Sequence, residues 1–418
     1  MIEGKRICVV VHYEGMSGAL RSLHHRLGAI AGDASIEFLV PGPGPAGQGL
    51  AAIGAVRELP FSALTFPGTV AGSPRHVVGL ARQVGHFRDH FRRSQPDLVI
   101  TTSMMVPTAV LAARRQGIPV LVHASELLNA ERLPSPAKRA TAHGLVKSTA
   151  RWATAVVACS HLVATQFEDT GISVETLYPP IAVPIEPGDR AGFRRRYGIS
   201  PEQACVAMVG SVTRGRGQDL LLRAMPMIRA RVPGARCLVV GEPFDRERDL
   251  DYRRRLDNLV RELKIEDAVN FTGAVDRIAD VYAAADVVVN PARIPESFGR
   301  VACEALAAGR PVVSARTGAV AEVLDHGRTA LLVEPDAPDE LAGATARILE
   351  DRELGARMAA AGRDQVQRRF EPEQIAARFR QIVEETLAVA QVRQPGARPP
   401  APLARPADPA EAPALRAP

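Results

Sequence analysis

Two carboxylates, Glu296 and Glu304, stand eight positions apart in PESFGRVACEALAAGRPVV (295–313). Before them runs the apolar strand pattern VVVNP, then the turn RIPESFGR. After them come small residues that end at Gly309 and Pro311. A helix beginning near Phe298 or Gly299 aims its free N–H groups and partial positive charge at whatever lies beyond the strand. Glu296 could serve there as a cap alone. Glu304 needs another account. It falls inside a helix whose later residues, ALAAG, read as fully packed, and a buried charge without a partner is costly. The hydroxyls of a diol would suit it, since one carboxylate accepts from both at once. The chemistry this pattern fits is a nucleotide sugar, with the diphosphate on the helix N-terminus, one glutamate on the sugar and the other on the ribose.

VGSVTRGRGQDLLLRAMP (209–226) points the same way. A strand ends at Gly210, and the loop behind it carries Arg214, Gly215, Arg216 and Gly217 before an amphipathic helix. Glycines allow close backbone approach, and arginines fork onto phosphate oxygens. Two histidines, His12 and His123, close predicted strands, where an α/β sheet presents functional side chains. Other patterns read as structure. GPGPAGQG (42–49) meets GxGxxG after a strand, but its prolines and the lack of a following amphipathic helix make it a flexible loop and leave an NAD-type site without its fingerprint. Asp249 and Asp251 form DxD inside a dense mixed-charge stretch, read as a solvated helix face and not a metal site.

These residues need sheets to hold them. In the first half, strands fall at 6–12, 36–40, 98–101, 120–124, 155–160 and 174–179, with helices between. The stretch 178–190 carries four prolines and reads as a linker. The rhythm restarts with strands at 204–210, 236–241, 269–273, 287–291, 311–315 and 330–334. Alternating strands and helices make parallel, doubly wound sheets, so the fold class is α/β with two Rossmann-like domains. The expected division is 1–185, 186–370, a helix over 371–391 packing back on the first domain, and a disordered Pro/Ala-rich tail over 392–418. Ligand binds in the cleft, at the carboxyl ends of the strands.

Composition bounds the rest. A chain of 418 residues is long for one core. Apolar residues make 46% and aromatics 4%, so the cores are Ala, Val and Leu. No apolar run reaches membrane-spanning length. The first apolar run, MIEGKRICVVV, is short and is followed by His12 and Glu14, as in a first strand and not a signal peptide. The cysteines Cys8, Cys159, Cys205, Cys237 and Cys303 form no CxxC and read as buried, reduced thiols of a cytoplasmic protein. A net charge of +6 suits anionic partners. No nucleic-acid motif is present. The pairs Arg92-Arg93, Arg114-Arg115 and Lys138-Arg139 offer a face for peripheral contact with an anionic membrane, such as the inner membrane face.

At this point the motifs converge. PESFGRVACEALAAGRPVVSARTGAVAEVLDHGRTALLVEPDAPDEL resembles the E-x7-E signature region of retaining glycosyltransferases of family 4, whose fold is GT-B. The likeness extends to VGSVTRGRGQDLLLRA and VNFTGAVDRIADVYAAADVVVNPAR, and covers most of 204–385. By that resemblance Glu296 contacts donor-sugar hydroxyls, and Ser297, Phe298 and Gly299 lie against sugar and phosphate. Glu304 holds the ribose, Arg216 binds phosphate, and Gly273 to Val275 meet the base. Gly18, in SGALRSLHHRL, approaches the diphosphate, while His123 lies near the reacting sugar and Glu126 faces the acceptor. Ser211 departs from the pattern, standing where many members carry arginine, with Arg214 as the nearest substitute. The implied catalytic group is Glu296, His123 and Arg216, with Gly210 and Arg214 in donor binding. The resemblance implies hexose transfer from a UDP- or GDP-linked sugar, as co-substrate, to a glycan or lipid-linked hydroxyl, with no metal and no other cofactor. A small-molecule acceptor and a non-catalytic scaffold partnering another transferase are the alternatives.

Overall fold

The computed structural model describes residues 2–15, 18–64, 74–128, 135–182 and 188–392. The tail from 393 onward, expected to be disordered, lies outside the described residues, as does 183–187 of the proline-rich linker.

In the first half the chain runs β1 (Arg6–Val10), α1 (Gly18–Gly28), β2 (Ser35–Val40), α2 (Pro45–Leu50), β3 (Ala55–Glu58), α3 (Pro74–Ser94), β4 (Leu98–Thr101), α4 (Pro107–Arg114), β5 (Val120–Ala124), α5 (Pro136–Trp152), β6 (Ala155–Ala158), α6 (His161–Ala164) and β7 (Val174–Thr176). The strands form one 7-stranded sheet in the order β3-β2-β1-β4-β5-β6-β7. Its pairings are parallel throughout, as right-handed helix crossovers require.

The second half runs α7 (Arg190–Arg196), β8 (Cys205–Val209), α8 (Gln218–Arg231), β9 (Arg236–Val240), α9 (Glu247–Glu262), β10 (Val269–Gly273), α10 (Ile278–Ala284), β11 (Val287–Asn290), α11 (Arg300–Ala307), β12 (Val312–Ala315), α12 (Val320–Val323), β13 (Leu331–Val333), α13 (Pro338–Glu350) and α14 (Arg352–Arg369). Its 6-stranded sheet has the order β10-β9-β8-β11-β12-β13, again parallel. The strand order reverses beside β1 in one sheet and beside β8 in the other. Those are the switch points at which open α/β sheets leave a crevice.

A last helix, α15 (Pro372–Val392), returns to the first half. Ile375, Phe379, Ile382, Val383 and Leu387 share a buried cluster with Leu20, Leu23 and Leu27 of α1. Arg380 pairs with Asp33 at 2.5 Å and Arg378 with Glu175 at 3.0 Å. The chain therefore crosses between halves twice, and the crossings are tied where the Ile181 N–H donates to the Phe370 carbonyl at 2.9 Å. Tyr178, Phe298 and Phe370 meet there, with ring centroids 5.2 to 5.9 Å apart.

Three local readings need correction. GPGPAGQG is not an open loop: Pro45 at the first turn starts α2, and the Ala46 N–H donates to the Glu14 carbonyl at 2.8 Å. The edge strand β3 is additional to the expected strands. Asp249 is not on a solvated face. Its side chain is 7% exposed, packed on the inner side of α9, whereas the Asp251 side chain is 44% exposed and pairs with Arg254.

Candidate active site

The turn after β11 is built around Glu296. Its carboxylate accepts from the Arg216 guanidinium and from Asn290 Nδ2, the latter at 2.6 Å. Asn290 is the last residue of β11, and its amide also reaches Ser314 Oγ at 3.3 Å. The Glu296 carbonyl accepts from the Ala319 N–H at 2.8 Å. Gly318, at φ 64, lies so close that a side chain there would strike the Glu296 backbone. Gly299 is the N-cap of α11 with φ 90, and an added Cβ would sit 3.1 Å from Val320 Cγ2. Left-handed backbone at that point is what turns the chain from the strand end into the helix. Phe298 is buried beneath it.

Arg216 comes from a second loop, the 3-10 turn Arg214–Arg216 between β8 and α8. That turn is pinned from β11's side: the Arg293 N–H donates to the Gly215 carbonyl at 2.9 Å. The Arg293 guanidinium forks onto Asp219 at 2.6 and 2.8 Å, and the Asp219 and Asp336 carboxylates raise it above its ordinary range. Gly210 sits beside Arg216, whose Nε would be 3.7 Å from a Cβ at 210. Arg214 is exposed and its guanidinium has no partner among the described residues. Ser211 offers its carbonyl to Gln218 Nε2 at 2.9 Å. In the base-facing loop, the Ala274 N–H donates to Glu242 at 3.2 Å, and Val275 is half-buried against the core.

Glu304 differs from expectation. It is not a buried charge lacking a partner. One oxygen accepts from Arg300 Nε at 2.6 Å and the other from the Tyr282 hydroxyl at 3.0 Å. Its side chain is 25% exposed. Helical spacing explains the first contact, because residues four apart share a face. Burial, then the Glu304 charge, pushes the Tyr282 hydroxyl well above its ordinary range, so it stays a donor. Arg300 also reaches across the cleft, donating to Ser22 Oγ at 2.7 Å and to the Gly18 carbonyl at 3.4 Å. Gly18 is thus brought against α11, with Arg300 Cδ 3.3 Å from where its Cβ would be.

The first half contributes a buried polar group. His123, on β5, is 2% exposed. Its Nε2 lies 2.6 Å from Arg26 and its Nδ1 2.9 Å from Ser125 Oγ. Burial first, then the neighbouring Arg26 and His12, holds it well below the ordinary histidine range. His12 meets Thr102 Oγ1 at 2.8 Å, and burial lowers it to about 4. Burial pushes Glu126 up, against the hydrogen bonds it accepts from Ser103 and the Ser125 N–H. The Cys159 thiol reaches the Ser297 carbonyl at 3.5 Å and is pushed up to about 11 by burial.

Glu296, Arg216, Gly210, Ser297, Phe298 and Gly299 therefore gather at one point, and Glu304 and Gly18 meet through Arg300. His123 does not present a free ring edge, since both its nitrogens are taken by the first half. Asn290, Tyr282, Arg300 and Arg26 were not singled out from the sequence. The one group of metal-ligating types among the described residues is Cys8, Glu37 and His90, away from this turn. There Glu37 already accepts from His90 at 2.8 Å and pairs with Arg57.

Two facing Rossmann-like sheets with a basic turn and a carboxylate at the N-terminus of α11 define a GT-B architecture. A family model described as glycosyl transferases group 1 matches residues 189–365, and a glycosyl transferase 4-like domain matches 9–178. The chain belongs to the glycosyl transferases group 1 family, of the family 4 type that its motifs resemble. A GDP-mannose-dependent alpha-(1-6)-phosphatidylinositol monomannoside mannosyltransferase of Mycobacterium tuberculosis is 35% identical over 202 residues, covering 46% of this chain and 50% of that protein. D-inositol 3-phosphate glycosyltransferase 2 of Catenulispora acidiphila is 38% identical over 198 residues, covering 46% and 45%. The chain thus spans about half the length of these curated relatives. Among solved structures, Anabaena HepE in complex with UDP and glucose superposes with a TM-score of 0.76 at 22% identity, over 91% of this chain and 99% of that one. Sucrose-phosphate synthase of Thermosynechococcus elongatus gives 0.75 at 22%, over 92% and 99%. At that identity the likeness is one of fold.

Proposed function

We propose that this protein is a retaining glycosyltransferase that moves a hexose from a UDP- or GDP-linked sugar to an acceptor hydroxyl without a metal. The observation that carries the reading is the convergence of Arg216 and Glu296, from two separate loops, at the N-terminus of α11. There a diphosphate would meet Arg216, free backbone N–H groups and the positive end of a helix. Glu296 would exchange its pairing with Arg216 for hydroxyls of the sugar. Glu304 would exchange Arg300 for the ribose diol. The bond from the sugar's anomeric carbon to the diphosphate oxygen breaks. The acceptor oxygen bonds to that carbon on the same face, and its proton passes to a diphosphate oxygen. No protein nucleophile enters, so Glu296 and Glu304 do not act as the paired carboxylates of a glycoside hydrolase.

The relatives' names direct the choice of substrates. One names GDP-mannose and a phosphatidylinositol mannoside, another an inositol phosphate. A lipid-linked or free polyol phosphate is accordingly the first acceptor class to try. The small-molecule alternative is favoured by the second of those names. For a lipid-linked acceptor, the exposed pairs Arg92-Arg93 and Arg114-Arg115 would supply peripheral membrane contact from the cytoplasmic side. No helix among the described residues is long and apolar enough to cross a membrane.

The test is thermal shift against UDP-, GDP- and ADP-sugars, with and without EDTA, for the natural protein and Glu304→Ala. Stabilisation by one nucleotide class, unchanged by EDTA and lost in the variant, is the expected result. Stabilisation by none would favour the non-catalytic scaffold and point to Ser211, where the usual arginine is missing.

A further inference from the structure

Arg26 is the largest side chain that is fully buried among the described residues. Its Nη2 donates to the carbonyls of Leu177 at 3.0 Å and Tyr178 at 2.7 Å, where the chain leaves the first half. Its Nη1 lies 2.6 Å from His123 Nε2. Its Nε has no partner, and no carboxylate pairs with it among the described residues. Burial lowers the guanidinium to about 10, still charged at neutral pH.

A guanidinium only donates. The histidine nitrogen facing it at 2.6 Å must therefore accept, so Nε2 carries the lone pair and Nδ1 the proton. A doubly protonated ring would set N–H against N–H beside a fixed cation. Nδ1–H then donates to Ser125 Oγ at 2.9 Å. That leaves the Ser125 hydroxyl proton without an acceptor among the described residues. Ser125 is half-buried and directly follows β5, at the carboxyl end of the sheet, where a ligand binds.

We propose that Arg26 is a positioning residue that fixes His123 as the neutral Nδ1–H tautomer, so that the Ser125 hydroxyl, and not the imidazole, is the donor offered to a ligand. The ligand atom it suits is an oxygen acceptor, either a sugar hydroxyl or a diphosphate oxygen. Only that identity rests on the glycosyltransferase reading; the tautomer stands without it. The charged and titratable groups that act on His123 are Arg26 on α1 and His12 after β1; Arg26 in turn feels Cys159 after β6 and Arg300 at the start of α11, and Cys159 feels Glu126 after β5.

The test is a long-range 1H–15N spectrum of the full chain with labelled histidine, from pH 5.5 to 8, with His123→Gln to assign the resonance. The expected result is a protonated Nδ1 and bare Nε2 that do not move with pH. In Arg26→Met the same ring should titrate or change tautomer. An Nε2–H form, or a natural-protein His123 that titrates near the ordinary value of about 6.5, overturns the proposal. If Arg26→Met does not fold, the spectrum of the natural protein decides alone. For the ligand, Ser125→Ala is compared on UDP, GDP and their sugars by calorimetry. A loss of up to about tenfold confined to the sugar nucleotides assigns a sugar hydroxyl, and a loss shared by the bare diphosphates assigns a phosphate oxygen. No loss on a ligand that the natural protein binds overturns the role of Ser125. If the natural protein binds none of them, that role falls with the nucleotide-sugar reading, while the tautomer result stands apart.

Discussion

Removing the Arg216 guanidinium and removing the Glu296 charge should act in opposite directions on a bare nucleoside diphosphate. In the structure the two are paired, with the side chains 31% and 11% exposed. A diphosphate must compete with Glu296 for the same guanidinium. A charge-assisted hydrogen bond is worth about 1.5–3 kcal/mol, or roughly tenfold to 150-fold in Kd. Arg216→Met should weaken UDP or GDP by that factor. Glu296→Gln keeps the shape and an oxygen for Asn290 Nδ2, but ends the ion pair. A partly exposed pair is worth about 1 kcal/mol at most, so this variant should bind the bare diphosphate up to about fivefold more tightly. It should bind the sugar nucleotide more weakly, because the charge is lost and one of the two oxygens that could accept from sugar hydroxyls becomes an amide donor. Calorimetry at low and high salt reads both. If Glu296→Gln weakens the bare diphosphate as much as Arg216→Met does, the competition does not exist and the reasoning fails.

Three further outcomes follow from contacts in the structure. Burial lowers His12 to about 4 from an ordinary 6.5, so the unfolded chain binds the extra proton first. Its contribution is complete above 6.5 and is lost as pH falls toward 4, roughly 3 kcal/mol in all; His12→Gln should flatten the acid limb of a urea-melt series by up to that amount. Glu322 caps α6 from the other half, accepting from the N–H groups of His161 at 2.9 Å and Leu162 at 2.7 Å and from the Tyr178 hydroxyl at 3.1 Å. Glu322→Ala should cost about 1–3 kcal/mol and split one calorimetric transition toward two. Gly318→Ala should displace Glu296 and cost donor affinity as well as stability. Gly327→Ala, also at positive φ but with open space around it, should cost only about 1–2 kcal/mol of stability.

The sheets were legible because their strands are short Val- and Ile-rich runs bounded by Gly and Pro, as in VLVHA and VVVNP. The exception, β3, is AVRE, an edge strand mostly exposed and without alternation. At the site, the Glu296 turn could be read because its glycines and carboxylate lie within a few residues. Partners drawn from other elements could not. Tyr282 comes to Glu304 from α10, and Asn290 to Glu296 from the end of β11. Arg26 left one trace: Leu23, Arg26, Leu27 and Ile30 follow the spacing of a single helix face, so the arginine falls on the apolar stripe of α1. An arginine there is normally read as reaching out to water, and only the tertiary placement of His123 and the Leu177 and Tyr178 carbonyls reveals otherwise.

The most direct measurement is a time course of donor hydrolysis by 1H NMR, starting from an α-linked UDP- or GDP-hexose with EDTA present. The account predicts that the first sugar released is the α-anomer, before mutarotation, and that Glu296→Gln and Arg216→Met suppress its release. Initial release of the β-anomer, or release that requires a divalent metal, would contradict it.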